Sequence, residues 1–420
     1  MSSRYPRDLG DHLRNRRRQV TAPEAAPTRR VEAIDAVRGL VMVIMALDHV
    51  RDFIHRGAQS FQPTDLSKTT TLLFFTRWVT HLCAPTFMFT AGLGAFLWWQ
   101  RGGKTRRELS RFLLTRGLWL VLLELTVMRL AYNFDFSGQY PVLLLVLWVL
   151  GGCMVGLALL VWLPLPVLLG SSVALIAGHN LLDRIAAARF GSAAPLWNLL
   201  HQPGVFKLAG VPFIVGYPLV PWVAVMALGF CFGKLYLMER ERRRSYLIGI
   251  GVALTLGFLL VRGLNGYGDP FPWRAQGSGT FTLLSFLNTT KYPPSLDFLL
   301  MTLGPCLLLL AWFEGKALHP MNPLVIFGRV PLFYFVIHFY AAHVAAVLLA
   351  LFKYGGSAVR FVFNPVPSMG GPQQLYPSPF GYDLCVAYAV WAAVVLSLYP
   401  LCRWFAGVKA RRRDWWLSYL

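Results

Sequence analysis

The sequence predicts an all-α, polytopic integral membrane protein of about ten transmembrane helices, with both termini on the cytoplasmic side. Three observations carry that expectation. Hydrophobic residues make up 56% of the 420 and charged residues only 14%, against about a quarter charged in an ordinary soluble domain. Several uninterrupted apolar stretches reach the ~20 residues that a helix needs to cross the hydrocarbon core. Lysine and arginine are gathered into every second connection between those stretches, the bias that marks short cytoplasmic loops.

The elements follow in order. Residues 1–33 contain eight arginines and no apolar core, which predicts a disordered basic tail beside an anionic membrane surface and no cleavable signal. Spans are expected at about 35–54, 76–99, 112–131, 141–163, 166–182, 211–237, 246–263, 296–313, 323–351 and 383–405. Only "PLP" parts the fourth from the fifth, so these two form a tight helical hairpin or one of them is re-entrant. With ten spans, the tail, "RGGKTRRELSR" with five Lys/Arg, "MERERRRS" with four and "GVKARRRDWW" with four all fall on one side. A membrane domain over 34–406 is thus flanked by basic tails at 1–33 and 407–420, in a bacterial-type cytoplasmic membrane. The formal charge of +21 is dispersed among these segments, so it reads as a topology signal, with the lipid bilayer and no nucleic acid as partner. On the opposite side, "LNGYGDPFPWRAQGSG" and "FNPVPSMGGPQQLYPSPFGYD" are rich in Gly, Pro, aromatics and amides. That composition suits sugar contact and interfacial aromatic belts alike. The six cysteines (Cys83, Cys153, Cys231, Cys306, Cys385, Cys402) fall inside apolar stretches without metal spacing and are expected to be buried packing residues.

Ionisable residues inside a span cost roughly 2.5–3.5 kcal/mol at its centre and therefore usually face protein or a water-filled cavity. In "RGLVMVIMALDH", eleven residues separate Arg38 from His49, which sets them within about 20° of one helix face and about 16 Å apart along the axis. Asp48 stands beside His49, and Arg51 and Asp52 follow one turn on. Arg77 and His81 occupy i and i+4 in the second span, and Tyr334 and His338 do so in the ninth. Glu124, deep in the third, is expected to neutralise an arginine of its own or a neighbouring helix. Lys291, Tyr292 and Asp297 lie in "KYPPSLD" at the mouth of the eighth. No H-E-x-x-H, no Cys/His pairing, no phosphate-binding G-x-x-x-x-G-K-[ST] and no G-x-S-x-G elbow occurs, so no metal is expected. Histidines, carboxylates and arginines converging in a bundle fit general-base chemistry or proton-coupled transport, and spacing alone does not separate them.

"RVEAIDAVRGLVMVIMALDHVRDF" resembles the first helix of the DUF1624 membrane proteins, relatives of the heparan-α-glucosaminide N-acetyltransferase catalytic domain. "RWVTHLCAPTFMFTAGLGAFLW", "YPLVPWVAVMALGFCFGKLY", "KYPPSLDFLLMTLGP" and "GRVPLFYFVIHFYAAH" are similar to later blocks of the family, in order, over about residues 31–405. The resemblance implies a transmembrane acyltransferase that takes an acyl group, acetyl above all, from acyl-CoA on the cytoplasmic side. The group would pass to a hydroxyl or amine of a saccharide or related acceptor on the outer side. It implies Arg38 and His49 as the essential pair, since related O-acyltransferases of bacterial surface glycans carry a similar R-G-x9-H arrangement. The lysosomal-type enzymes instead have asparagine at the position of His49 and a histidine before Trp-Asn-Gly in the following loop; here that loop reads "FQPTDLSKTTTLLFF". On this reading His49 is the general base, Asp48 or Asp52 orients its ring, and Arg38 holds CoA. Arg77 and His81 stand at the donor's reacting end, and Lys291, Tyr292, Asp297 and His338 meet the acceptor. A homodimer is compatible with the sequence. The alternative is a proton-coupled transporter or flippase for a lipid-linked saccharide, using the same groups as a proton relay.

Overall fold

The computed structural model describes residues 31–58, 60–134, 141–358, 381–412 and 414–419. The tail expected over 1–33 therefore lies outside the described residues except for its last three, as do most of "NFDFSGQY" and of "FNPVPSMGGPQQLYPSPFGYD". Helices dominate: α1 Glu32–Ile54, α2 Thr71–Gln100, α3 106–133, α4 Val146–Leu160, α5 Leu165–Leu182, α6 Ala194–Leu200 and α7 Val220–Leu237. After these come α8 Arg240–Leu264, α9 Gly279–Leu287, α10 Leu296–Glu314, α11 Pro323–Arg329, α12 Pro331–Ala358 and α13 Leu384–Arg411. Seven of them (α2, α5, α7, α8, α10, α12 and α13) are long and apolar enough to cross a membrane. The other three expected segments are helical too, but α1 and α3 carry several charged residues each, and α4 is apolar but only 15 residues long.

The charges of α1 are explained by where it runs. It packs against α2, α10, α11, α12 and α13, and most of its residues are buried, Asp35, Asp48, His49 and Arg51 included. A helix wrapped by protein on all sides keeps its ionisable groups off lipid. Close approach depends on missing side chains: a Cβ on Gly39 would lie 1.8 Å from the Leu324 carbonyl oxygen, and one on Gly328 would lie 1.8 Å from that of Asp35. Gly39, the glycine of the R-G pair, thus seats α1 on α11, as small residues do where membrane helices pack backbone to backbone.

Three departures from the expected elements have local causes. The expected sixth span begins at 211, yet Val211–Val215 is a strand (β3), paired antiparallel with Gly204–Leu208 (β2) and parallel with Val142–Leu144 (β1). Ala209 and Gly210 both have positive φ, +49° and +83°, the pattern of a two-residue hairpin turn. The fold is therefore helical with one small sheet, not purely α. The ninth span breaks at Val330 (φ −130°, ψ 51°), because the residue before Pro331 is driven out of the α region. Glu124 does not neutralise an arginine as expected: its carboxylate accepts from the backbone N–H groups of Leu147 (2.7 Å) and Trp148 (3.0 Å) and from Tyr132 Oη (2.9 Å). It serves as an anionic cap on the N-terminus of α4 and lies on a π-helical turn, Glu124–Met128, inside α3.

Cys385 is exposed, whereas the other five cysteines are buried as expected. The 407–420 segment drawn as a tail continues α13 to Arg411, and its Tyr419 hydroxyl reaches Thr115 Oγ1 at 3.1 Å.

Candidate active site

The site forms where α1 ends, α2 begins and α10 begins. Thr70 caps α2 by accepting from Leu73 N, and Pro85 then removes the hydrogen bond that the His81 carbonyl would receive in a regular helix. The chain answers with a 3₁₀ turn over Val79–Leu82. This break places Arg77 and His81 against the last turns of α1.

Asp48 is the hub. Its carboxylate is paired with Arg77 and with Arg51, whose Nη2 lies 2.8 Å from Oδ1, and Arg51 also pairs with Asp52. Both aspartates are thus committed to guanidinium groups, and neither hydrogen-bonds the His49 ring, so the expected orienting contact is not made. Arg77 Nη1 reaches Thr80 Oγ1 at 3.1 Å and Nη2 reaches the Tyr292 hydroxyl at 3.4 Å.

His49 is buried, makes no hydrogen bond among the described residues, and leaves Nδ1 without a partner. Its ring lies 4.0 Å from that of Phe339 and 5.2 Å from that of His338, centroid to centroid. His338 Nδ1 stands 3.1 Å from the Tyr334 carbonyl, and Nε2 has no partner. A carbonyl only accepts, so the neutral His338 ring carries its proton on Nδ1 and offers a lone pair on Nε2. His81 is buried 5.3 Å from the Phe298 ring, again with Nδ1 unpartnered. Three imidazoles with uncommitted nitrogens beside an Asp–Arg cluster can accept, hold and pass on a proton.

Lys291 and Tyr292 complete the mouth. The Lys291 ammonium sits over the rings of Tyr217 (5.8 Å) and Tyr292 (5.3 Å), a cation–π arrangement, and the Tyr292 hydroxyl lies 3.3 Å from that of Tyr217. Burial pushes the Tyr292 phenol up, but the Lys291 ammonium and the Arg77 guanidinium outweigh it and hold the group below the usual tyrosine range. The segment around Lys291 is pinned on both sides. Asp269 accepts from Thr290 N (2.7 Å) and Ser295 Oγ (2.6 Å), His179 Nε2 lies 2.8 Å from the Pro294 carbonyl, and Asn180 Oδ1 accepts from Leu296 N (2.9 Å).

The structure does not bring every expected residue here. Asp297 is buried in a separate cluster, 3.6 Å from Arg262, itself 3.9 Å from Asp269. Arg38 points to α2, donating from Nε to Thr90 Oγ1 (3.1 Å) and from Nη2 to the Thr90 carbonyl, while His49 faces α12. The two residues of the R-G-x9-H pattern thus mark opposite ends of α1 with different neighbours. Sequence reasoning missed Tyr217 and Thr90. Tyr217 stands in the "YPLVPW" block quoted for the resemblance and was open to notice, but nothing in the sequence around Thr90 points to Arg38.

No group of three or more His, Cys, Asp or Glu able to hold a metal occurs among the described residues. The family model for heparan-alpha-glucosaminide N-acetyltransferase, catalytic, matches residues 30–260, which include α1, α2 and Tyr217. No curated protein matches the chain.

Proposed function

The chain belongs to the heparan-alpha-glucosaminide N-acetyltransferase catalytic family, and from that premise we propose that it transfers an acyl group, acetyl above all, from acyl-CoA to a saccharide or related acceptor. The family match and the seven long apolar helices make it a multi-pass membrane protein of acetyltransferase type.

His49 is the general base in this reading. What supports it is one observation, a buried imidazole with no hydrogen bond among the described residues, faced by a second imidazole with a free lone pair. The base takes the proton from an acceptor O–H or N–H as the heteroatom attacks the thioester carbonyl. The C–S bond then breaks, and the imidazolium returns its proton to the leaving thiolate, releasing CoA. His338 serves as a second proton site. Arg77 and His81 stabilise the negative charge on the carbonyl oxygen. Asp48 and Asp52 act indirectly, by fixing Arg77 and Arg51.

The donor enters from the end of α1 that carries Arg38. Arg38, held by Thr90, brings to this end a planar cation of the kind that recognises a phosphate or pantetheine oxygen, and the five Lys/Arg of residues 101–111 lie at the same end of α2. This end is cytoplasmic: reporter fusions at Gly138 and Gly371 should read outside, and a fusion after Leu420 should read inside.

The test is the fate of the thioester. Purified protein in liposomes should release free CoA from acetyl-CoA only when an acceptor is added. Saccharide uptake that needs no thioester, without acceptor-dependent release of CoA, would replace this reading with a proton-coupled transporter.

A further inference from the structure

The charge count at the mouth does not balance. Arg51, Arg77 and Lys291 supply three positive charges, while Asp48 and Asp52 supply two negative ones. Both arginines are paired with those aspartates. Lys291 is 8% exposed and makes no ion pair or side-chain hydrogen bond among the described residues; its ammonium rests on two tyrosine faces. A cation this little exposed and without an ion pair of its own loses much of its hydration, and aromatic faces recover only part of it. The backbone cannot relieve this by moving, because Thr290, Pro294, Ser295 and Leu296 are all held by side chains from other elements. The position is built, and it is short of one anion.

We infer that Lys291, seated on Tyr217 and Tyr292 beside Arg77, is a binding subsite for an anionic group, carboxylate or phosphate, carried by the acceptor. Tyr292 is 37% exposed while Lys291 is buried beneath it, so the ligand meets an aromatic face first and the ammonium behind it. That order suits a sugar ring bearing an acidic substituent: the ring stacks on Tyr292 and the acid reaches Lys291. The neutral imidazoles deeper in add no charge, so the excess stays at the mouth, where an incoming acceptor arrives before reaction. The inference rests on the acyltransferase reading only in naming the carrier of the anion as the acceptor.

The experiment is a set of binding measurements on the full chain in detergent, with no thioester present. The probes are methyl β-D-glucuronide, its neutral methyl ester, inorganic phosphate and CoA. The free carboxylate should bind about tenfold more tightly than the ester, the worth of one charge-assisted hydrogen bond, and phosphate should compete with it. Lys291→Met should remove that preference and leave the ester and CoA affinities as they were, while Lys291→Arg should keep it. Equal binding of acid and ester by the wild-type protein would overturn the inference, a comparison that survives even if Lys291→Met does not fold. So would a preference that persists in Lys291→Met. Loss of CoA affinity in Lys291→Met, with the acid–ester difference intact, would assign the anion to the donor's phosphates and overturn the acceptor assignment. Failure of acetyl transfer with these binding results intact would count against the acyltransferase reading alone.

Discussion

Two clusters of this protein bury arginine and aspartate side by side, and they treat them in opposite ways. In the Arg262 cluster, the guanidinium donates to the carbonyls of Phe286, Phe271, Ser285 and Asn288 and faces Asp269 and Asp297, and Asp297 Oδ1 is the one buried carboxylate oxygen there without a hydrogen-bond partner among the described residues. Asp269 in turn accepts from Phe271 N, Thr290 N, Thr290 Oγ1 and Ser295 Oγ. In the His49 cluster, the rings of His49, His81 and His338 each keep a nitrogen without a partner and Arg51 leaves Nε and Nη1 unbonded, while Lys291 makes no ion pair among the described residues. Nearly saturated polar groups rigidify a fold, whereas unsaturated ones cost free energy that a ligand can recover. The first cluster holds the loop that the second one uses.

Breaking the second cluster should therefore cost rate, and this is the largest effect expected. His49→Ala should lower acceptor-dependent thioester cleavage by about 10²–10⁴, the contribution of a positioned general base, with the melting temperature almost unchanged. His343 is the matched control. It is equally buried, but its Nδ1 is satisfied by the Ala131 carbonyl at 2.7 Å and its ring stacks on Phe134 at 3.8 Å. His343→Ala should lose stability and keep turnover. If the folded His49→Ala protein consumes acetyl-CoA at near the wild-type rate, the mechanism centred on α1 is wrong.

Breaking the first cluster should cost stability. Arg262→Met leaves Asp269 and Asp297 as buried carboxylates without their cation, a loss of about 3–5 kcal/mol for a buried pair missing one partner. Thermal melting in detergent reads it directly. An unchanged melting temperature would mean that Asp269 holds the loop through Thr290 and Ser295 alone.

The contrast also shows what the sequence made legible. Seven helices could be placed from apolar length, because burial in lipid demands it. Asp48, His49, Arg77, His81, Lys291, Tyr292 and His338 could be picked out because ionisable groups are rare inside apolar stretches. Which of them touch was another matter. Asp297 and Lys291 are six residues apart, yet the turn between them sends one to Arg262 and the other to Tyr217. Helix periodicity does not extend through "KYPPS", where two prolines interrupt it. The β2–β3 hairpin was hidden for a related reason: "VPFIV" reads as the start of a span when it runs straight into "YPLVPWVAVMALGF".

Arg38 sharpens the comparison at the far end of α1, where a guanidinium is fastened to α2 through Thr90. Nε and Nη2 donate to Thr90, which aims the side chain toward α2. Arg38→Lys keeps the charge but loses the planar fork. Its apparent KM for acyl-CoA should rise about tenfold, equivalent to about 1.4 kcal/mol, with kcat and expression little changed. An unchanged KM would return Arg38 to the status of a residue that anchors α1 to α2.

The smallest effect should appear at Tyr292, and pH exposes it. Lys291 and Arg77 hold this phenol below the usual tyrosine value of 10, so it becomes a phenolate at a pH where ordinary tyrosines stay neutral. A phenolate beside the ammonium would supply the missing negative charge from within the protein. Preference for an anionic ligand should then fall as the pH rises through the Tyr292 pKa and be fully present below it. Tyr292→Phe removes the ionisation and keeps the ring. At neutral pH it should change glucuronide binding by no more than about two- to threefold, because the hydroxyl's two contacts, at 3.4 and 3.3 Å, are too long to be strong hydrogen bonds. At alkaline pH the order should reverse, with Tyr292→Phe retaining a preference for the acid over its ester that the wild-type protein has lost. Titrating both proteins from pH 7 to pH 10 by ligand-observed NMR measures this, and parallel curves would show that the Tyr292 hydroxyl takes no part in balancing the charge of Lys291.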